Sequence, residues 1–131
     1  MKANSTIYDV IVIGGGLAGL ITVLELKQHN IHVLLIEKSS YPFHRVCGEY
    51  ISNEVKNWMS QNDYIPRIDY SNITELLLTS PSGKEIKTQL DLGGFGISRY
   101  SLDYHLYALA KSKGVEIIEN EEINSISKNN K

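Results

Sequence analysis

The chain has 131 residues, enough for one domain with a real core. Its 42% hydrophobic and 21% charged content excludes an intrinsically disordered chain. A formal net charge of -2 without a dense Lys/Arg patch argues against a nucleic-acid partner. The single cysteine, Cys47, excludes an internal disulfide and suits a reducing compartment, so a cytoplasmic location is expected.

Residues 7–13 are a β-branched run without strict alternation, the pattern of a parallel strand buried on both faces. Residues 17–28 carry Leu17, Leu20, Ile21 and Leu24 at helical spacing, and Asn30 suits a left-handed helix end. The glycines, Glu25 and Lys27 interrupt this apolar region and argue against a membrane span, leaving peripheral membrane contact open. Residues 31–36 read as a second buried strand with Glu37 at its carboxyl end, which completes a βαβ unit.

A loop follows over residues 39–50, broken by Pro42 and holding Arg45, Cys47 and Gly48. Residues 54–61 predict a short helix capped by Ser52, with Trp58 and Met59 facing inward, and Pro66 keeps 62–72 irregular. Residues 73–79 and 85–90 read as a hairpin turning through Pro81, Ser82 and Gly83. Gly93, Gly94 and Gly96 are expected to loosen the next stretch before a short strand at 95–99. Ser101 is the expected cap of a helix with apolar Leu102, Leu106, Leu109 and Ala110, favoured at its start by Asp103 and ended by Gly114. Residues 115–118 read as a third parallel strand and 123–126 as a weak fourth; 127–131 resemble a hairpin turn. The fold class is therefore α/β, a Rossmann-like domain with a parallel sheet and a β-hairpin insertion. We expect an incomplete domain, the amino-terminal part of a longer protein.

The chemistry concentrates on Gly14, Gly16 and Gly19, a G-x-G-x-x-G between strand and helix. Gly14 permits the turn, Gly16 lets a pyrophosphate approach the backbone, and Gly19 lets the helix pack close to the sheet. The helix amino terminus adds N–H groups and partial positive charge. Glu37 lies about 20 residues further on, where a carboxylate accepts hydrogen bonds from ribose hydroxyls and repels a 2′-phosphate. These features fit FAD or NAD equally. A Walker-type ATP site is excluded, because no Lys-Ser/Thr pair follows the glycines. The four histidines make no metal constellation, and no Ser–His–Asp arrangement is visible. Tyr100, Tyr104 and Tyr107 are expected to pack a helix.

Three blocks carry a family resemblance: residues 9–20; Glu37-Lys-Ser-Ser-Tyr-Pro-Phe-His-Arg-Val-Cys-Gly-Glu49; and Ser98-Arg-Tyr-Ser-Leu-Asp-Tyr-His-Leu106. The chain resembles the amino-terminal part of geranylgeranyl reductase-like FAD-dependent oxidoreductases, relatives of the aromatic hydroxylases and flavin halogenases. The resemblance implies that Ala18, with Gly14 and Gly16, lines the pyrophosphate and that Glu37 holds the adenosine ribose. It implies that Arg45, Cys47 and Gly48 lie along the cofactor toward the flavin. Arg99 would reach the pyrophosphate or ribityl region, and the backbone near Ile123 would approach the adenine. Arginine suits such a site through paired charge-assisted hydrogen bonds, although ordinary surface ion pairing stays open for Arg45 and Arg99.

Cys47 has three open readings: a small buried residue, a packing neighbour of the flavin, or a proton donor or redox thiol and hence the one catalytic candidate. The implied cofactor is FAD, with NAD(P)H as a possible external electron donor. The implied activity is reduction of a C=C bond, or monooxygenation, of a small hydrophobic substrate. An NAD-binding dehydrogenase domain and a catalytically silent flavin-binding module stand as alternatives. Residues 1–131 would form the dinucleotide-binding domain, with 73–90 a first piece of a substrate-domain sheet.

Overall fold

A computed structural model describes residues 6–127. The chain divides into two compact units, one running to Phe43 and resuming at Asp103, the other spanning His44–Leu102. The second unit thus opens well before the hairpin that the sequence marks at 73–90.

The first unit holds a three-stranded sheet in the order β1-β2-β6, built from β1 (Val10–Ile13), β2 (Val33–Glu37) and β6 (Glu116–Glu119). Both pairings are parallel, with Val10 opposite Val33 and Glu37 opposite Glu119. Helix α1 (Leu17–Gln28) makes the crossover between β1 and β2 over the span its apolar spacing predicts, and Asn30 takes a left-handed φ of 58° just beyond it. The buried face of α1 is Leu20, Val23 and Leu24, so Val23 takes a place that the sequence assigns to Leu17 and Ile21. Gly114, at φ 75°, turns the chain out of the preceding helix toward β6.

Only the central strand β2 is buried as a parallel strand should be, with Val33, Leu34 and Leu35 all enclosed. The expectation of two buried faces fails for β1, where Ile11 is 52% and Ile13 50% exposed. The reason is position: β1 is an edge strand among the described residues and has one neighbour. Residues 123–126 are not a strand, since 121–127 have no regular structure. The turn read at the end of the chain falls mainly on 128–131, outside the described residues.

The second unit holds an antiparallel sheet in the order β3-β5-β4, made of β3 (Tyr50–Ser52), β4 (Ser71–Thr79) and β5 (Glu85–Gly96). The hairpin β4–β5 forms as its turn residues predict, with Thr79 opposite Glu85 and Ser80 N–H donating to Lys84 O at 2.9 Å. The glycines expected to loosen residues 93–96 lie within β5, whose ladder with β4 is interrupted between the Gln89–Glu75 and Gly94–Ile73 pairs, with Gly93 at a left-handed φ of 62°. Gly96 stands opposite both Tyr50 and Ser71. A Cβ on Gly94 would run into the Tyr50 ring and lie 2.6 Å from the Ile51 carbonyl oxygen, so close strand approach explains the glycine.

Ser52 accepts from Glu54 N–H at 3.3 Å and starts a 3₁₀ turn (Asn53–Val55) that leads into α2 (Lys56–Gln61). Met59 is buried as expected, whereas Trp58 stays 39% exposed and meets the buried Tyr64 edge-on. Phe95 is fully enclosed, with Tyr70 at 5.3 Å between ring centroids.

Helix α3 (Arg99–Ser112) contains the boundary between the units. It begins three residues earlier than a Ser101 cap would allow; Leu102 N–H donates to Ser98 O at 2.9 Å, leaving Ser101 inside the first turn.

The contrast between β2 and β1 is measurable by chemical denaturation of this chain. Leu35→Ala, at a fully enclosed site, is expected to lower unfolding free energy by about 2–5 kcal/mol. Ile11→Ala is expected to cost less than about 1 kcal/mol; equal losses would contradict the edge position of β1.

Candidate functional site

In the first unit the glycine turn, the start of α1 and the end of β2 meet. Gly14 leaves β1 at φ 97°, a conformation that disfavours any side chain, and its N–H donates to Ile36 O at 2.8 Å. A Cβ on Gly19 would run into the Gly14 carbonyl oxygen, so this glycine sets how closely the helix crosses the turn. Gly16 is the amino-terminal cap of α1 and supplies no side-chain cap; its carbonyl accepts the first helical bond from Leu20 N–H at 2.9 Å. No acidic side chain occupies the first turn, and Ala18 is exposed there. The mouth of the helix therefore offers backbone N–H groups and partial positive charge without a competing side-chain carboxylate in that turn.

Glu37 is only 4% exposed. One carboxylate oxygen accepts from Gly15 N–H at 2.7 Å and the other from Ser39 N–H at 3.0 Å. A carboxylate at that depth is tolerable because donors surround it. The Glu37 carbonyl also accepts from Glu121 N–H at 3.2 Å, which ties the segment containing half-buried Ile123 to the end of β2. Gly14, Gly16, Ala18, Gly19 and Glu37 are thus gathered on one side of the sheet ends, with Ile123 on a chain segment anchored nearby. This arrangement fits the adenosine diphosphate half of a dinucleotide: N–H groups for phosphate and a fixed carboxylate for ribose hydroxyls.

The other predicted residues, Arg45, Cys47, Gly48 and Arg99, belong to the second unit. Arg99 begins α3, and its guanidinium Nη1 lies 3.7 Å from Cys47 Sγ as a donor. Cys47 also accepts from Glu49 N–H at 3.4 Å. That backbone hydrogen bond, followed by Arg99, holds the exposed thiol below its ordinary pKa by stabilising the thiolate. Cys47 is exposed, which removes the reading as a small buried residue. Arg45 is half-buried in the same loop, and His44 stacks on Tyr100 at 4.6 Å. Around Gly48 a Cβ would meet nothing within 4 Å, so packing does not require glycine there.

The sequence reading gives Glu49 no role. Glu49, at a left-handed φ of 56°, joins this cluster: its carboxylate accepts from Arg99 N–H at 2.8 Å and its carbonyl from Ile97 N–H at 3.0 Å. Its only sequence signal is adjacency to Cys47 and Gly48. Asp103, read as an acid favouring the start of the helix, is also 2% exposed and engaged by other groups. Tyr107 does pack, stacking on Tyr41 at 4.4 Å, whereas Tyr100 and Tyr104 are 37% and 47% exposed. Among the described residues no group of His, Cys, Asp and Glu could hold a metal, and no helix is long and apolar enough to cross a membrane.

Comparison with known proteins bears on the fold and the family. A digeranylgeranylglycerophospholipid reductase of Picrophilus torridus is 31% identical over 118 residues, covering 84% of this chain and 29% of that protein. The crystal structure of a geranylgeranyl bacteriochlorophyll reductase-like protein from Thermoplasma acidophilum superimposes with a TM-score of 0.74 at 27% identity, covering 94% of this chain and 32% of that one. The p-nitrophenol 4-monooxygenase of Pseudomonas putida shares the fold, with a TM-score of 0.77 at 19% identity over 95% of this chain and 35% of its own. The chain thus spans about a third or less of the length of each of these relatives. The resemblance to geranylgeranyl reductase-like proteins read from the three sequence blocks holds, and so does the α/β class with its parallel sheet. The family model for pyridine nucleotide-disulphide oxidoreductases matches residues 8–131, nearly the whole sequence, and the chain belongs to that family.

Proposed function

We propose that this chain is the FAD-binding amino-terminal portion of a flavin-dependent oxidoreductase. The observation that carries the proposal is the buried Glu37 carboxylate, bonded to Gly15 N–H at the mouth of α1. It fixes a ribose-binding acid and a phosphate-binding turn in one rigid piece. In this reading the Gly16, Leu17 and Ala18 backbone faces the pyrophosphate, Glu37 takes the adenosine ribose, and the 121–127 segment lies toward the adenine. Arg99, held by Glu49, and Arg45 supply positive charge further along the cofactor, with Cys47 and Gly48 beside it.

The domain reading keeps residues 1–131 as one dinucleotide-binding element with the β4–β5 hairpin as the first piece of a substrate-domain sheet. The open side of β1 among the described residues and the low coverage of the matched relatives support further polypeptide completing the parallel sheet. Bound FAD would supply the redox chemistry, taking two electrons from an external donor such as NAD(P)H and delivering them to the substrate. The reductases among the relatives favour reduction of a C=C bond in a hydrophobic isoprenoid-type substrate; the monooxygenase among the matched folds keeps oxygenation as the other outcome. The family's description favours a second cofactor reading, NAD in the same cradle, which the Arg99–Cys47 cluster leaves without a role for those residues.

Calorimetric titration of the purified protein separates these readings. FAD is expected to bind more tightly than NAD, and Glu37→Ala is expected to weaken FAD binding by about 1–3 kcal/mol through lost hydrogen bonds to a charged group. Preference for NAD, or unchanged FAD affinity in the variant, would refute the assignment.

Cys47 gives an independent check on the second unit. Because its pKa is lowered, thiolate persists to lower pH than in an ordinary cysteine, and the alkylation rate by iodoacetamide should reach half its maximum at a lower pH than for an unstructured cysteine peptide. Arg99→Ala removes a stabilising donor and is expected to move that midpoint upward. A midpoint at the ordinary value in the unaltered protein would contradict the Cys47–Glu49–Arg99 arrangement.

A further inference from the structure

We propose that Tyr41 is a positioning residue for the pyrophosphate cradle: its hydroxyl, donating to the Gly15 carbonyl, fixes the Gly15–Gly16 peptide plane before nucleotide arrives. The inference rests on the nucleotide-binding reading above and gives it a residue outside the fingerprint. A dinucleotide fingerprint calls for glycine at positions 14, 16 and 19, but this chain also has Gly15. The structure supplies the reason. A Cβ at Gly15 would collide with the Tyr41 hydroxyl and come within 3.2 Å of Glu37 Cβ, so Gly15 and Tyr41 are a matched pair.

The peptide geometry turns this pairing into function. Gly15 N–H donates to Glu37, which fixes the Gly14–Gly15 plane, and Gly15 O accepts from Tyr41 Oη, which fixes the next one. A trans peptide is planar, so holding the Gly15 carbonyl directs the Gly16 N–H to the opposite side. That N–H is the group the cradle needs to present to phosphate. Two side chains therefore set the orientation of the turn in advance, which reduces the ordering cost of binding.

Tyr41 is itself anchored at two points, and its two partners are tied to each other. Its backbone N–H donates to Glu119 Oε1 at 2.9 Å, its ring stacks on Tyr107 at 4.4 Å and 20°, and Tyr107 Oη donates to Glu119 Oε2 at 2.7 Å. Lys111 Nζ in turn donates to Tyr107 Oη at 3.1 Å. The neighbouring Ser40 Oγ donates to Asn120 Oδ1 at 2.8 Å, so the loop after β2 is clipped to the end of β6 at adjacent residues. The hydroxyl thus reaches Gly15 from a rigid base.

Tyr41→Phe removes the hydroxyl and keeps the ring on Tyr107. With the full chain, ADP and adenosine affinities and the ligand-free melting midpoint are measured for both proteins. Tyr41→Phe is expected to weaken ADP about three- to tenfold, the size of one hydrogen bond, while adenosine affinity stays unchanged and the midpoint falls only by the few degrees that one lost hydrogen bond accounts for. Gly15→Ala, which displaces the same hydroxyl, is expected to weaken ADP in the unaltered protein and to add little in the Tyr41→Phe background. Unchanged ADP affinity in Tyr41→Phe would overturn the positioning role while leaving the nucleotide reading intact. Equal loss of ADP and adenosine would overturn it as well, making Tyr41 a fold element only. No ADP binding by the unaltered protein would overturn the nucleotide reading and this role together.

Discussion

The hydrogen bond from Gly15 N–H to the buried Glu37 carboxylate, 2.7 Å long, is the constraint on which the rest of the first unit depends. Glu37 ends the central strand, so it is placed by the best-buried part of the sheet, and its carboxylate would be costly there without donors. The donors it recruits come from the glycine turn and from Ser39 in the following loop, while its carbonyl receives Glu121 N–H from beyond β6. Three chain segments far apart in sequence are therefore tied to one residue. Electrostatic need and site geometry coincide: satisfying the buried charge also shapes the turn.

The second unit solves a smaller problem in a similar way. Glu49 uses its carboxylate on Arg99 N–H, its carbonyl on Ile97 N–H and its own N–H on Cys47 Sγ. A left-handed backbone at Glu49 makes these contacts possible together. The result orients the start of α3 and leaves an exposed, acidified thiol beside a guanidinium.

Local features were legible in the sequence and long-range ones were not. The limits of α1 followed from apolar spacing, and the left-handed Asn30 and Gly114 from side-chain sterics, all of which act over a few residues. Glu37 was legible because its distance from the glycines is set by the length of a βαβ unit. The exposure of Ile11 and Ile13 was not, because burial of a strand depends on neighbours that its own residues do not encode. The same holds for β5, whose glycines read as breakers until β3 and β4 pack against both sides. Glu49, Tyr41 and buried Asp103 were missed for a related reason: each acquires its role from partners or burial that no local pattern announces.

The most direct measurement of the Glu37 constraint is the amide resonance of Gly15 in the isotope-labelled, ligand-free protein. A short charge-assisted bond to a buried carboxylate should shift that proton far downfield and slow its exchange with solvent, and Glu37→Ala should abolish both effects. A Gly15 amide at an ordinary loop position, exchanging as fast as an exposed residue, would contradict the role given to Glu37.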